Sequence, residues 1–174
     1  MPVEPAPDPR WQIFIGGLDA GGHPAPMTYG RLHDVPTGWP TTRATPEGVE
    51  GLLATSRRLW PLAWFEYDLL VVSAYWSILA VEAALREVLA ASDKPAFGDL
   101  IKQAVRVGVL DAEWAERLDA GRLLRNSLAH ARQQGSWTVG MSAPILRASH
   151  QVVTVLYPDG DVEDAGSGRG HPQR

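Results

Sequence analysis

The feature that most constrains the fold is a long apolar segment from Phe65 to Ala91. When this segment is drawn as a helix, apolar side chains occupy nearly every face, and such a helix must be packed against neighbours all round. Its most apolar stretch, Leu69 to Val81, falls short of the roughly 20 residues that a membrane span needs. The sequence therefore predicts a central core helix and no membrane partner.

Four further segments carry helical periodicity or helix-capping signals. They cover about residues 46–60, 97–107, 111–132 and 142–157. The first begins at Thr45-Pro46, a capping side chain followed by a proline in the first turn. The last begins at Ser142, with Pro144 in its first turn. We therefore predict an all-α domain over residues 46–157, built as a bundle of four to five helices.

The two ends of the chain differ in composition from this central part. Residues 1–45 form an arm dense in proline and glycine, which predicts turns and extended pieces and excludes a long helix. Within the arm, Trp11, Ile13 and Ile15 alternate with other residues, so one short strand or an extended arm is expected to dock there. Removal of residues 1–40 is expected to leave a folded helical domain. Residues 158–174 are rich in glycine and aspartate and are predicted to be a disordered tail.

Composition and charge exclude several kinds of function. The chain has no cysteine, so disulfides, thiolate catalysis and cysteine-based zinc sites are ruled out. Its histidines have no metal-like spacing, and neither a metal nor a cofactor is expected. The net charge of -4 argues against coating nucleic acid through the overall field, so an RNA contact requires a local basic patch. The lack of cysteine and of a signal-like N-terminus favours a cytoplasmic location.

One short motif carries most of the functional signal. It is Arg125-Asn126-Ser127-Leu128-Ala129-His130, an arginine followed by a small polar residue and, after a spacer of four, a histidine. This segment resembles the motif of the HEPN superfamily. Two other segments, Phe97 to Leu110 and Ile78 to Leu85, look like the helix before the motif helix and the long central helix of that superfamily. The resemblance covers about residues 69–157 and leaves the arm and the tail unassigned.

The resemblance implies an all-α, HEPN-like bundle that dimerises through its motif helices. Catalytic members of the superfamily are metal-independent endoribonucleases, in which the histidine transfers protons and the arginine binds the scissile phosphate. The resemblance therefore implies catalytic roles for Arg125, Asn126 and His130 in a homodimer that cleaves single-stranded RNA. Some members are toxins paired with an antitoxin, so a toxin or phage-defence role and an antitoxin or other protein partner are expected.

The residue types around the motif suit this chemistry. Cleavage by transesterification requires proton transfers, for which histidine is suited because its ordinary pKa is about 6.5. Arginine stays charged and binds phosphate through two parallel hydrogen bonds. The nearby cations Arg122 and Arg132 are expected to bind substrate. Glu82 is expected to pair with Arg86, four residues further on, or alternatively to support the site by holding Arg125.

Helical geometry places Arg122, Asn126 and His130 in one polar row, because they are spaced four residues apart. Roughly opposite this row lies a predicted apolar stripe, consisting of Ala120, Leu124, Leu128 and Ala131. Arg125 is about 140° from His130 on an ideal helix. Two alternatives therefore stay open: the helix is irregular before His130, or the site is shared across a dimer.

A row of small residues favours the shared site. Gly121 and Ala129 lie four residues before and after Arg125, and small side chains would let a partner helix approach closely. The sequence therefore predicts that this row forms the dimer contact.

A second function stays open beside the nuclease. Superfamily members that have lost catalysis act as modules that bind protein or nucleotide partners and serve assembly or regulation. The intact motif favours the endoribonuclease. The acidic net charge and the lack of a long basic stripe favour the non-catalytic module.

Overall fold

The computed structural model describes residues 6–92, 94–129 and 137–159. It is mostly helical, at 65%, so the predicted helical fold is confirmed, but a small sheet and a sixth helix were not predicted. The elements are β1 (Ile15–Leu18), β2 (Pro24–Pro26), α1 (Tyr29–Asp34), α2 (Glu47–Leu62), α3 (Leu69–Val88), α4 (Phe97–Arg106), α5 (Ala112–Ala129) and α6 (Val139–Leu156). The two strands pair antiparallel with a bulge in β1.

Helix α3 is the centre of the fold, as its composition predicts. Helices α2 and α6 pack along it, while α4 and α5 contact it more lightly. Its buried residues belong to two hydrophobic cores, one shared with α4, α5 and α6 and the other shared with the arm. By length and composition α3 could also cross a membrane, but 56% of its most apolar window is buried inside the fold.

Two predicted helix ends are confirmed by the backbone. Helix α4 ends near the predicted Gly108, whose φ of 75° is the left-handed conformation that glycine adopts at helix ends. Helix α5 begins after Asp111, whose Oδ1 accepts a hydrogen bond from the backbone N–H of Trp114 at 2.8 Å. The predicted C-terminal end of α5, at about Arg132, lies outside the described residues.

Two predicted caps are wrong. Helix α2 has Pro46 at its cap position with no side-chain cap, so Thr45 does not serve as predicted. Helix α6 begins earlier than expected, because Thr138 caps it by accepting a hydrogen bond from the N–H of Met141 at 3.3 Å. Ser142 is consequently buried inside the helix.

The N-terminal arm belongs to the core of the protein. Its buried side chains Trp11, Leu32 and Trp39 pack with Trp60 of α2 and Leu146 of α6 in the second hydrophobic core. The arm is thus a folded layer over α2, α3 and α6. Because these side chains are buried, removal of the arm is expected to disrupt the fold, contrary to the expectation from the sequence.

The predicted strand through Trp11, Ile13 and Ile15 is wrong. Residues Pro9–Ile13 form a 3-10 turn, in which Trp11 is buried while Ile13 is 82% exposed. A turn of this kind repeats every three residues, so an alternating pattern does not place its members on one side. Strand β1 begins only at Ile15, which is exposed.

The end of the described chain is tied to the end of the arm. The Asp159 carboxylate accepts hydrogen bonds from Oγ1 of Thr42 at 2.6 Å and from the N–H of Arg43 at 2.7 Å. These bonds lower the pKa of Asp159. The rest of the predicted disordered tail, residues 160–174, lies outside the described residues.

Candidate functional site

Helix α5 carries the motif from Arg125 to Ala129, and three of the predicted site residues have described side chains on it. Arg122, Arg125 and Asn126 are each half-buried. His130 and Arg132 lie outside the described residues, so their roles stay predictions. The same holds for the position of His130 relative to Arg125, and both alternatives for the shape of the site stay open.

A groove of about 310 Å³ separates the N-terminal end of α4 from α5. One wall belongs to α4 and the residue before it, and consists of Ala96, Phe97, Gly98, Asp99 and Lys102. The other wall belongs to α5, and consists of Asp119, Arg122, Arg125 and Asn126. The structure therefore brings three predicted site residues into one groove and adds the ammonium group of Lys102 opposite them.

Gly98 allows the two walls to lie close together. A Cβ atom at this position would lie 3.1 Å from Cδ of Arg122, which is tighter than an ordinary carbon contact. The side chain of Arg122 therefore crosses directly over the first turn of α4. Sequence reasoning missed this glycine, because nothing in a helical pattern shows which neighbour a glycine faces.

Carboxylates lie beside the cations of the groove. Nε of Arg122 donates a hydrogen bond to Oδ1 of Asp119 at 2.6 Å, which lowers the pKa of Asp119 and raises the pKa of Arg122. Nζ of Lys102 lies 3.9 Å from Oδ1 of Asp99. The lining thus contains more cations than carboxylates, and Asp119 orients Arg122 in the groove.

Glu82 of α3 contacts two arginines at once. Its Oε1 accepts a hydrogen bond from Nη2 of Arg86 at 2.7 Å, which confirms the pair expected from their spacing. Its Oε2 lies 3.0 Å from Nη2 of Arg125, at ion-pair distance but without the alignment of a hydrogen bond. The Glu82 side chain is only 11% exposed, and loss of a partner leaves a buried carboxylate poorly compensated. Glu82 therefore links the motif arginine to the central helix.

The row of Gly121 and Arg125 faces α3 of the same chain. A Cβ atom on Gly121 would lie 3.7 Å from Cγ1 of Ile78, and Arg125 contacts Glu82, one turn further along α3. The ion pair turns this side of α5 toward the central helix, and the expectation that this row also receives a partner helix stays a prediction.

The predicted apolar stripe of α5 is wrong where its side chains are described. Ala120 is exposed, whereas Leu118 is buried in the first core with Trp114 and Ala115 packed beside it. The apolar residues early in the helix and the ion pair of Arg125 together determine which face is buried.

This orientation gives a test of the monomer packing. Gly121→Ala should raise the free energy of unfolding by about 0.5–1 kcal/mol, because alanine favours a helix interior and its methyl group would meet Ile78 at an ordinary contact distance. Urea unfolding of the two proteins measures the difference. A lower stability, or a change in oligomeric state, would contradict the contact with Ile78 and would favour a partner helix at the row of Gly121 and Arg125.

Within the described part of the chain, no three His, Asp or Glu side chains lie close enough together to hold a metal ion. Comparisons with protein-family models, with curated proteins and with solved structures find no match to this chain. The resemblance to the HEPN superfamily accordingly stays a prediction from the motif and its context.

Proposed function

We propose that this protein is a HEPN-type endoribonuclease that cleaves single-stranded RNA without a metal ion and works as a homodimer. The observation that carries the proposal is the convergence of Arg122, Arg125 and Asn126 on one groove, with Lys102 on the opposite wall. Such a groove offers guanidinium and ammonium donors to the phosphates of a single strand. A toxin or phage-defence role, with an antitoxin as partner, follows from the resemblance.

The proposed reaction is a transesterification. A base removes the proton of the 2′-hydroxyl, the 2′-oxygen attacks phosphorus, and the bond to the 5′-oxygen breaks as that oxygen receives a proton. His130 is assigned to proton transfer, and Arg125 to the charge of the phosphorane, since its guanidinium is always protonated. Asn126 is assigned to orienting the imidazole or donating to a phosphate oxygen. The products are a 2′,3′-cyclic phosphate and a 5′-hydroxyl end.

The homodimer part of the proposal has its own support in the structure. An apolar cavity of about 650 Å³ opens between α5 and α6, with Met141 and Pro144 among its lining residues. Leu123 on α5 is 57% exposed. Exposed apolar surface beside a proposed site is typical of protein interfaces. These features support a proposed dimer contact on the α5–α6 side of the chain.

Purified protein should cleave a panel of single-stranded RNAs in EDTA. His130→Ala should lower the rate by about a hundredfold or more, the usual contribution of an acid–base group. Arg125→Lys should remove most activity, because a point charge does not replace the planar fork.

His33→Ala and Arg58→Lys change an exposed histidine on α1 and an exposed arginine on α2, and should leave the rate unchanged. Melting temperatures of all variants separate loss of chemistry from loss of fold.

The alternative function is a non-catalytic module that binds protein or nucleotide partners. One observation favours it: Arg125 is already engaged by Glu82, and Arg122 by Asp119, so both arginines have anionic partners without any RNA. Wild-type protein that cleaves none of the RNA panel would contradict the nuclease and favour this module. Cleavage that survives unchanged in His130→Ala would contradict the assigned chemistry.

A further inference from the structure

Arg86 makes three hydrogen bonds that join separate parts of the fold. Its Nη2 donates to Oε1 of Glu82 at 2.7 Å and to the carbonyl of Pro95 at 3.0 Å. Its Nη1 donates to the carbonyl of Ser92 at 3.0 Å. One guanidinium thus binds the segment between α3 and α4 and also the Glu82 carboxylate, which contacts Arg125. A planar fork can serve these partners together, whereas a lysine ammonium cannot reproduce the geometry.

These bonds reach both walls of the groove. Pro95 immediately precedes Ala96, the first residue of the α4 wall. Arg125 belongs to the α5 wall and is bound to the same Glu82 that Arg86 holds. The chain of contacts from Pro95 through Arg86 and Glu82 to Arg125 therefore crosses behind the groove, from one wall to the other.

We propose that Arg86 is a positioning residue that sets the spacing of the groove walls and thereby the affinity of the groove for the sugar–phosphate backbone of single-stranded RNA. The inference rests on the proposed nuclease function and adds a residue that lines no part of the groove itself. Arg86 acts through Pro95 on one wall and through Glu82 on the other. Lys102 and Arg122 would contact the RNA backbone in substrate and transition state alike, so a change in wall spacing weakens the binding of both equally.

Arg86→Lys is the variant that isolates this effect. It retains a positive charge near Glu82 but loses the fork that binds Ser92 and Pro95. We expect KM for a short oligouridylate to rise by about tenfold while kcat changes by less than about threefold, which is the pattern for lost uniform binding. Glu82→Gln, which weakens the ion pair with Arg125, should instead lower kcat. Arg58→Lys, an exposed arginine that contacts Thr55, is the matched control.

Hydrogen exchange of the free protein tests the same inference without catalysis. The amides of Asp99 and Leu100 bond to the carbonyl of Ala96, next to the residue that Arg86 holds. Their exchange should accelerate in Arg86→Lys, together with the amides around Arg125 on the other wall. Arg58→Lys should leave both sets unchanged.

The outcomes separate the two proposals. If the wild-type protein cleaves no RNA, the proposed nuclease function is wrong. The affinity of the groove is then measured by fluorescence anisotropy with a labelled oligouridylate. Equal binding by wild type and Arg86→Lys, or no binding by either, overturns the inference about Arg86. Exchange that rises only between Ser92 and Ala96 shows a local loop anchor and also overturns the inference. A lower kcat together with a higher KM and a lower melting temperature shows general destabilisation and also overturns the inference. Faster exchange on both walls with a selective loss of affinity supports it.

Discussion

Deletion of residues 1–40 should abolish the cooperative thermal unfolding of this protein. The deletion removes Trp11, Leu32 and Trp39, all of them buried in the second hydrophobic core. Loss of a buried tryptophan costs about 3–5 kcal/mol and of a buried leucine about 2–5 kcal/mol. Their combined loss is comparable to the whole stability of a typical domain, about 5–15 kcal/mol. Differential scanning calorimetry of the full and truncated chains measures the effect.

Polar contacts of the arm add to this expectation. Nε1 of Trp11 donates to the carbonyl of Ala63 at 2.8 Å, in the turn between α2 and α3. The carboxylate of Asp8 accepts hydrogen bonds from the Arg10 side chain and from the N–H of Tyr67 at 3.0 Å, and these bonds hold its pKa well below the usual range. Removing the arm therefore exposes apolar side chains and leaves backbone groups without the hydrogen-bond partners that the arm now provides.

Two point variants in one turn provide the control. Trp11→Ala should lower the free energy of unfolding by about 3–5 kcal/mol. Ile13→Ala, two residues away and 82% exposed, should change it by less than about 0.5 kcal/mol. Equal effects of the two substitutions, or a truncated chain that unfolds cooperatively at the wild-type temperature, would contradict the role of the arm in the core.

Stability should fall by roughly 2 kcal/mol between pH 7 and pH 5 because of one buried histidine, His150. This residue lies on α6, with its ring tilted against Trp39 at 5.3 Å between ring centres and its Nδ1 3.2 Å from the carbonyl of Pro40. A carbonyl only accepts, so the neutral ring is assigned the tautomer with the proton on Nδ1. Burial, together with the positive charge of Arg57, lowers the pKa of His150 to about 4.

The expected fall in stability at lower pH follows from the number of protons that the folded and unfolded states bind. In the unfolded chain the imidazole has its ordinary pKa of 6.5, so below that pH the unfolded state binds a proton that the folded state does not. Stability therefore declines as pH falls from about 6.5, and the decline ends near the folded-state pKa of about 4. Over that whole range the loss is about 3 kcal/mol, at about 1.36 kcal/mol for each pH unit. Asp8, whose pKa is also lowered, changes the stability only at more acidic pH, because its ordinary pKa is 3.8.

His150→Asn isolates this effect. The asparagine amide can donate to the carbonyl of Pro40 in place of Nδ1, and it does not titrate. The variant should show a much flatter dependence of unfolding free energy on pH between 7 and 5, measured by urea unfolding followed through tryptophan fluorescence. The same slope in both proteins would show that other groups cause the decline.

Elements whose signals are local could be predicted from the sequence. An apolar surface on every side of the segment around Leu69–Val88 requires burial wherever it lies, so the central helix was predicted correctly. The Asp111 cap and the left-handed Gly108 depend on neighbouring residues alone, and both were confirmed. The spacing of Glu82 and Arg86 likewise predicted their ion pair.

Which helix faces meet could not be predicted from the sequence, because it depends on contacts between distant residues. The rotation of α5 depends on Leu118 and on an ion pair between residues far apart in sequence, Glu82 and Arg125, and it brings Gly121 against Ile78 of the same chain. The arm has few local signals because proline and glycine suppress periodicity, and the burial of Trp11 and Trp39 follows from Trp60 and other distant partners. Which residues are buried together is a property of the assembled layers, and the pattern of one segment does not show its distant partners.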